Sequence, residues 1–441
     1  MKLFTFKQGV HPPYKKELSK DKPIQKAGIP EKIVIPLVQH IGAPCEPDVA
    51  VGDAVKEGQM IGKARGFVSA PVHSPVSGKV KRIEKAPHPL GQNILSVIIQ
   101  PNGNGERAYM EPMGEKINKL DPTSMLSHIL NAGIVGLGGA AFPAHVKFSP
   151  PRGKPINTLI INGCECEPYL AADHRLMLEH PDDLLLGARM IGKVLGVKNI
   201  IIAIESNKPD AIKTIDHAAA HGEIVCMVTE TKYPQGAEKV LIKALLNREV
   251  PSGGLPMDVG VVVSNVGTAL AVCEAVRDGK PLIERVVTIT GNAVKYSGNY
   301  LVKIGTPVIN LIEQAGGTTG TPGKFIMGGP MMGIAQSSFD VPVIKGTSGI
   351  LILKKEDYME EEHRPCIKCS FCVQSCPISL LPSTLSLIAE AKKWGLAEKY
   401  GVNDCIECGS CAYVCPSKRP IVQFIKTAKL KLQEIKARKK N

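Results

Sequence analysis

Between residues 155 and 277 the chain alternates short apolar runs with stretches in which apolar residues recur every three or four positions. The runs predict strands at 158–161, 199–204, 223–228 and 260–264, and the periodic stretches predict helices at 181–195, 211–221, 237–247 and 268–278. Strands separated by helices imply a parallel sheet covered on both faces. Ligands of such sheets gather at the carboxyl ends of the strands. Two segments leave at such ends, Asn162-Gly163-Cys164-Glu165-Cys166-Glu167-Pro168 after the first strand and Ser264-Asn265-Val266-Gly267-Thr268 after the last. Their amides and their Asn and Thr side chains suit a phosphate, and their carboxylates suit ribose hydroxyls.

On either side the pattern changes. Residues 33–100 carry short strands, such as 32–37 and 78–83, broken by Gly and Pro, and predict a small β module. Its segments Val51-Gly52-Asp53-Ala54-Val55-Lys56-Glu57-Gly58-Gln59-Met60-Ile61-Gly62 and Ser74-Pro75-Val76-Ser77-Gly78-Lys79-Val80 resemble the two halves of the biotinyl/lipoyl barrel-sandwich family. That family's modified lysine has no counterpart in Phe67-Val68-Ser69-Ala70-Pro71-Val72-His73, so the module reads as scaffold without a swinging arm. Ahead of it, Gly9-Val10-His11-Pro12-Pro13 is too stiff for a helix and predicts an extended arm packed on another domain. Asp121 before Pro122 is an N-cap signal for a helix over 123–132. The loop that follows, Gly133-Ile134-Val135-Gly136-Leu137-Gly138-Gly139-Ala140-Ala141-Phe142-Pro143, lets backbone N–H groups approach a phosphate or a flat ring, although such glycines also serve as tight turns. Beyond 283 strands are expected at 285–291, 298–303 and 324–328; the first two, with a helix over 307–314, suggest a small β-grasp unit, with Gly328-Gly329-Pro330-Met331-Met332-Gly333 as a loop against its neighbours.

The 441 residues, 44% of them hydrophobic, can fill several cores, which suggests about three domains. No apolar stretch approaches the ~18 residues needed to span a bilayer, and the start lacks the apolar segment of a signal peptide; a cytoplasmic protein is expected. Thirteen cysteines there argue for metal or redox use rather than disulfides. The net charge of +13 is concentrated in residues 417–441, where nine Lys and Arg face Glu434 alone. Such a tail suits an anionic membrane surface or an acidic partner, or is a solvated helix end. Nucleic acid is not expected, because only Phe424 is available as a stacking platform among these lysines. Cys164 and Cys166 could bind metal as a C-x-C pair but, with no further ligand cluster nearby, read as loop packing; Cys45, Cys226 and Cys273 read as ordinary buried thiols, and His174 and His217 as surface or packing residues.

Eight cysteines form one pattern written twice, Cys366, Cys369, Cys372 and Cys376-Pro377, then Cys405, Cys408, Cys411 and Cys415-Pro416, each displaced by 39 residues. The spacing C-x2-C-x2-C-x3-C-P places three thiolates on one cubane and sends the fourth to its neighbour. Two [4Fe-4S] clusters are expected, one on Cys366, Cys369, Cys372 and Cys415, the other on Cys405, Cys408, Cys411 and Cys376. Four-thiolate zinc is the alternative, but zinc has no use for the third C-x2 step, the proline or the second copy. Residues 381–391, apolar at helical spacing with Ser383 as N-cap, read as a spacer helix.

Taken in order, GVHPP, the barrel-sandwich module, the glycine loop, NGCECEP, YPQGAEK, NVGTA, RVVTITG, GGPMMG and the doubled cysteine motif resemble the C subunit of the Rnf electron-transport complex over nearly the whole chain. The middle is also similar to the flavin-bearing, NADH-oxidising subunit of respiratory complex I. That resemblance implies FMN against Gly136, Gly138, Gly139 and Phe142, with Lys147 following. It carries Asn162, Glu165, Glu167 and Glu238 over as flavin and nicotinamide contacts, and Asn265 and Thr268 as neighbours of the FMN phosphate. Cys164 replaces an aspartate of the family.

The fold so implied is multidomain α/β and β. It comprises an arm and barrel-sandwich module over 1–110, a Rossmann-like parallel FMN/NADH core over 111–280, a β-grasp module over 281–350 and a two-cluster ferredoxin-like α domain with a basic tail over 351–441. Electrons would pass between NAD(H), FMN and the two clusters. No catalytic acid or base is needed, because hydride transfer to a flavin rests on positioning and electrostatics. The implied partners are integral-membrane and ferredoxin-like subunits of an ion-translocating complex, met in peripheral contact at the cytoplasmic face of the membrane. A stand-alone cobalamin reductase of the same architecture and a flavin-free electron relay are the rival readings.

Overall fold

The computed structural model describes residues 2–219, 222, 224–357 and 362–438. The end of the expected helix 211–221, the first residue of the expected strand 223–228, and Lys439 and Lys440 of the basic tail lie outside the described residues.

The arm over residues 2–23 has no helix, turns at 17–22 and bonds to several distant parts of the chain. Phe4 pairs with Val228 and Glu230. Val10 exchanges both backbone bonds with Tyr233 at 2.9 Å, and the Gly9 N–H donates to Ser375 at 3.2 Å. The arm ends in β1 (Ile24–Lys26), followed by β2 (Ile33–Pro36), β3 (Glu46–Pro47), β4 (Ala54–Val55), β5 (Met60–Lys63), β6 (Val72–His73), β7 (Gly78–Pro87) and β8 (Asn93–Pro101). Sheet β2-β8-β7-β4 and sheet β3-β5-β6 enclose a core of Ile33, Ile35, Leu37, Cys45, Ile61, Val72, Val80, Val97 and Ile99. Strand β7 runs four residues past the expected 83, because its partner β8 extends the ladder to Pro87.

The next part contains α1 (Pro122–Asn131), α2 (Ala144–Lys147), β9 (Thr158–Gly163), α3 (Ala172–Glu179), α4 (Pro181–Leu195), β10 (Asn199–Glu205), α5 (Pro209–Ala218), β11 (Ile224–Thr229), α6 (Glu238–Leu246), β12 (Val261–Asn265) and α7 (Val266–Asp278). Asp121 caps α1 through the Ser124 N–H at 2.8 Å. The four strands form a wholly parallel sheet in the order β11-β10-β9-β12. Both faces are buried and the strands alternate between them: Leu159, Ile161, Ile200, Ile202 and Val262 join the core on one side, while Ile160, Ile201, Ala203, Val261 and Val263 join α6 on the other. The sheet order reverses between β9 and β12, which leaves a crevice at their carboxyl ends.

A mixed sheet comes next, from β13 (Glu284–Thr290), β14 (Gly298–Lys303), α8 (Val308–Gln314), β15 (Pro322–Met327), β16 (Ile334–Gln336) and β17 (Gly349–Lys354), with β1 of the arm completing the order β1-β14-β13-β17-β15-β16. Strand β17 lies inside this sheet and crosses the boundary expected at 350. The last part is helical, with α9 (Phe371–Gln374), α10 (Pro382–Glu390), α11 (Trp394–Lys399), α12 (Ser410–Tyr413) and α13 (Ile421–Arg438). The basic tail is therefore largely α13, which buries Ile421, Ile425, Ala428 and Leu432, and part of its charge is taken up internally. Lys429 pairs with Glu407 at 2.7 Å and Lys436 with Glu398 at 2.6 Å. No helix among the described residues is long and apolar enough to cross a membrane.

Helices α4 and α7 cover one face of the parallel sheet and cross at Gly187, where an added Cβ would come 1.9 Å from the Ala269 carbonyl oxygen. Gly187→Ala is expected to cost about 1–3 kcal/mol through overpacking. Gly395→Ala, in open space, should be neutral or slightly stabilising. Melting temperatures of the two variants by scanning calorimetry check the contrast.

Candidate functional site

The crevice between β9 and β12 opens into a cavity of about 140 Å³. Gly136, Gly138, Phe142, Lys147, Asn162, Glu238, Asn265 and Thr268 all line it, joined by Ala140, Ala144, Phe148, Gly236, Val263 and Ser264. Lys147 bonds both the Glu238 carboxylate and the Val263 carbonyl, the latter at 2.7 Å. Asn162 Nδ2 donates to the Gly236 carbonyl at 2.8 Å. Asn265 caps α7 by accepting from the Gly267 N–H at 2.8 Å, so the positive end of a thirteen-residue helix borders the cavity.

The glycines test whether this space suits a ligand. A Cβ at Gly136 would meet nothing nearer than 3.7 Å, and one at Gly138 nothing nearer than 3.5 Å, and neither has a positive φ. The protein's own packing therefore does not require glycine at either position. Their missing side chains leave room and bare backbone to the cavity, as a flat ring or phosphate needs. The loop is held from outside by two buried cations. Lys345 Nζ donates to the Gly133 carbonyl at 2.7 Å and to the Pro71 carbonyl at 2.8 Å, and burial pushes it down to about 8. Arg285 donates to the Leu137 carbonyl at 3.3 Å, and the Thr268 hydroxyl accepts from the Leu137 N–H at 2.9 Å.

Gly139, Glu165 and Glu167 are not among the lining residues. Gly139 has φ +109° and serves the turn. Glu165 turns away from the cavity and accepts from the Asp173 and His174 N–H groups at the start of α3, with Lys16 of the arm 3.8 Å away. Glu167 accepts from the Met331 and Met332 N–H groups at 3.1 and 2.8 Å, and so ties the parallel core to the GGPMMG loop. Burial outweighs those two bonds and pushes Glu167 up to about 7. Asp173, not anticipated from sequence, accepts from Asn265 Nδ2 at 2.6 Å, and burial with Glu165 nearby raises it to about 7. Cys164 packs against Thr229 and Ala203, and burial pushes its thiol up to about 12. His174 packs on Asp210 at 2.9 Å. Cys226 is only half-buried, on the edge strand β11.

The eight motif cysteines separate as the crossing rule requires. Cys366, Cys369, Cys372 and Cys415 line one small cavity, and Cys376, Cys405, Cys408 and Cys411 line another. Among the described residues no three His, Cys, Asp or Glu side chains are grouped to hold a single metal ion. Each quartet instead surrounds a space, which suits a cluster better than one zinc. The sulfurs accept backbone bonds, from the Leu380 N–H to Cys376 at 3.3 Å and from the Glu407 N–H to Cys405 at 3.4 Å. Ser383 is not the expected N-cap: Pro382 takes the first helical position after Leu381, and Ser383 directs its hydroxyl and amide to the Cys372 sulfur. The second quartet abuts the parallel core, where Tyr233 donates to the Cys408 carbonyl at 2.6 Å and Cys166, Met331 and Ile406 pack around it.

Comparison with known proteins agrees with this layout. The chain is 47% identical to the C subunit of the proton-translocating ferredoxin:NAD(+) oxidoreductase complex of Clostridium ljungdahlii, over 97% of this chain and 94% of that one. It is 45% identical to the C subunit of the Na(+)-translocating complex of Acetobacterium woodii, over 96% of each. It is 42% identical to the C subunit of the ion-translocating oxidoreductase complex of Rhodobacter capsulatus, over 100% of this chain and 85% of that one. The chain belongs to the C-subunit family of these complexes. Four domain families match within the family's span: the RnfC barrel sandwich hybrid domain at 4–104, the Nuo51 FMN-binding domain at 129–274, the SLBB domain at 286–335 and the 4Fe-4S dicluster domain at 365–419. The FMN-binding match spans every residue lining the cavity between β9 and β12, and the dicluster match all eight cysteines.

Two outcomes are expected of this C-subunit family member. Thr268→Val removes the acceptor of the buried Leu137 N–H and should cost about 1–3 kcal/mol, whereas Thr268→Ser keeps the oxygen and most of the stability; urea midpoints separate them. The fold favours protonated Glu167, so its contribution is fully present below its ordinary value near 4.5 and lost as pH rises through about 7. Glu167→Gln does not titrate, so it should gain on the parent by about 1 kcal/mol between pH 6 and pH 8 in the same measurement.

Proposed function

We propose that this chain is the peripheral electron-transfer subunit of an ion-translocating ferredoxin:NAD oxidoreductase complex, exchanging electrons between NAD(H), FMN and two [4Fe-4S] clusters. Bound FMN would supply the conversion between the two electrons of a hydride and the single electrons a cluster accepts. The observation that carries this reading is the short connection between cavity and cysteines. Gly236 lines the cavity, and Tyr233, three residues earlier, bonds the carbonyl of the cluster ligand Cys408.

The roles divide by position. Gly136, Gly138 and Phe142 border the ring, the end of α7 with Asn265 and Thr268 takes the phosphate, and Lys147, Asn162 and Glu238 fix polar edges. Glu165 and Glu167 act behind the cavity by holding α3 and the GGPMMG loop, and Gly139 shapes the turn. Cys376, Cys405, Cys408 and Cys411 hold the cluster nearer the flavin; Cys366, Cys369, Cys372 and Cys415 hold the farther one. The mixed sheet with α8 is a β-grasp unit, the parallel core is Rossmann-like, and the module boundaries fall near 110, 280 and 355. The subunit sits at the cytoplasmic face of the membrane, held there by its partners in the complex.

Anaerobic NADH titration of the iron- and FMN-loaded protein is expected to bleach the flavin and cluster bands together. Bands that answer dithionite and ignore NADH would defeat the proposal. Lys147→Met should weaken FMN binding about tenfold, read by quenching of flavin fluorescence, with iron content unchanged.

A further inference from the structure

The two cysteine motifs are internal controls on each other, since each position in the first has a counterpart 39 residues on. In the second copy the outward positions are covered by the rest of the chain. Ile406 packs with Tyr233, Val10 and Met331. Asp404 accepts from the Ser252 hydroxyl at 2.5 Å and the Gly253 N–H at 2.9 Å. A Cβ on Gly409 would come 2.8 Å from the Met331 carbonyl oxygen, and Ser410 is fully buried.

In the first copy the same positions are bare. Ile367, the counterpart of Ile406, is 67% exposed, and Phe371, the counterpart of Ser410, is 51% exposed. Cys369 is partly open where Cys408 is buried. The charge differs too, from neutral to basic at one position and from acidic to basic at the other. Arg364 and Lys368, both exposed, stand where the second copy has Asn403 and Glu407. Lys418, also exposed, lies three residues past the fourth ligand of this quartet, Cys415. A lone exposed apolar residue is ordinary. An exposed isoleucine and phenylalanine beside a redox site, at positions whose twins lie in an interface, are not.

We propose that Ile367, Phe371, Lys368 and Arg364 form the docking surface for a second iron-sulfur protein, one that presents an acidic rim around its own cluster. This rests on the function proposed above. The apolar pair supplies contact that excludes water, and the cations steer a negative partner into place. A single electron crosses there: one cluster is oxidised by one electron, the other is reduced by one, and no bond forms or breaks.

The test uses the full chain loaded with iron, sulfide and FMN, with an acidic ferredoxin carrying two [4Fe-4S] clusters as probe. Lys368→Glu/Phe371→Ser installs the residues the second motif carries while bearing its own four cysteines, so cluster assembly should survive. Titration calorimetry with oxidised ferredoxin is expected to show affinity reduced about tenfold or more and a flattened salt dependence. Lys399→Glu, on α11, should bind as the parent does. NADH should bleach flavin and clusters in the double variant as in the parent; failure of that bleaching in the parent itself would sink the function and leave the binding result readable. If the double variant loses iron, Arg364→Asn, copying Asn403, reads the same surface. Unchanged ferredoxin affinity would overturn the proposal. So would a parent that binds only anionic phospholipid vesicles, or one that pairs with a second copy of itself through this face.

Discussion

Everything in this protein depends on holding a cofactor cavity and a cysteine quartet at a fixed separation, and the side chain at that junction is Tyr233. It is only 2% exposed, its backbone bonds Val10 of the arm in both directions, and its hydroxyl donates to Cys408. Magnitudes say which part does what. A neutral hydrogen bond adds about 1 kcal/mol net, whereas burying a tyrosine ring removes roughly 150–250 Å² from water and is worth several times more. Burial therefore supplies the adhesion and the hydroxyl supplies the register. Burial and the nearby Glu167 raise the phenol well above its ordinary value, which keeps it a donor. Three stretches far apart in sequence thus share one anchor, and the chain from Tyr233 to Gly236 fixes the cavity to the quartet.

Local periodicity and covalent spacing account for the parts that could be read from the sequence. The parallel core was legible because its strands are buried on both faces and its helices carry an apolar stripe; helix α4 falls where the pattern puts it. The pairing of Cys376 with the second quartet was legible because the three-residue step before proline constrains where the fourth sulfur reaches. Helix α3 was not, since its eight residues are too short and too mixed for a periodic signal, and its start is fixed by a carboxylate seven residues upstream, Glu165. The extent of the mixed sheet was missed for a related reason. Strands β1 and β17 join it from outside the expected module, and long-range pairing leaves no local trace.

The cofactor site was half legible on similar grounds. Residues projecting from the ends of β9 and β12 reach the cavity because the strand fixes their direction. Glu165 and Glu167 lie on the loop beyond, where one change of backbone direction decides which face a side chain serves, and Glu165 itself has φ +47°. Their carboxylates then went to the nearest unpaired amides, those opening α3 and those of Met331 and Met332, which would otherwise be costly to bury. Lys345 and Arg285 gave no sequence signal at all. Each is a cation buried against carbonyl groups of other modules, Lys345 against two and Arg285 against one, so only their assembly creates the site that tolerates it.

These observations explain why a duplicated motif ends as two unlike halves. A centre in the middle of a relay needs one neighbour on each side and must be closed to water elsewhere. The quartet with Cys408 has its inner side against Tyr233 and its outer side against the other quartet, through the crossing of Cys376 and Cys415, and the positions it packs against the rest of the chain, Ile406, Gly409 and Ser410, are apolar or small. The quartet with Cys366 shares that crossing on one side only. Among the described residues nothing covers Ile367 and Phe371 on its remaining side. Two cores built on the same spacing therefore differ where their neighbours differ, and on the proposed reading the exposed face is where the relay continues.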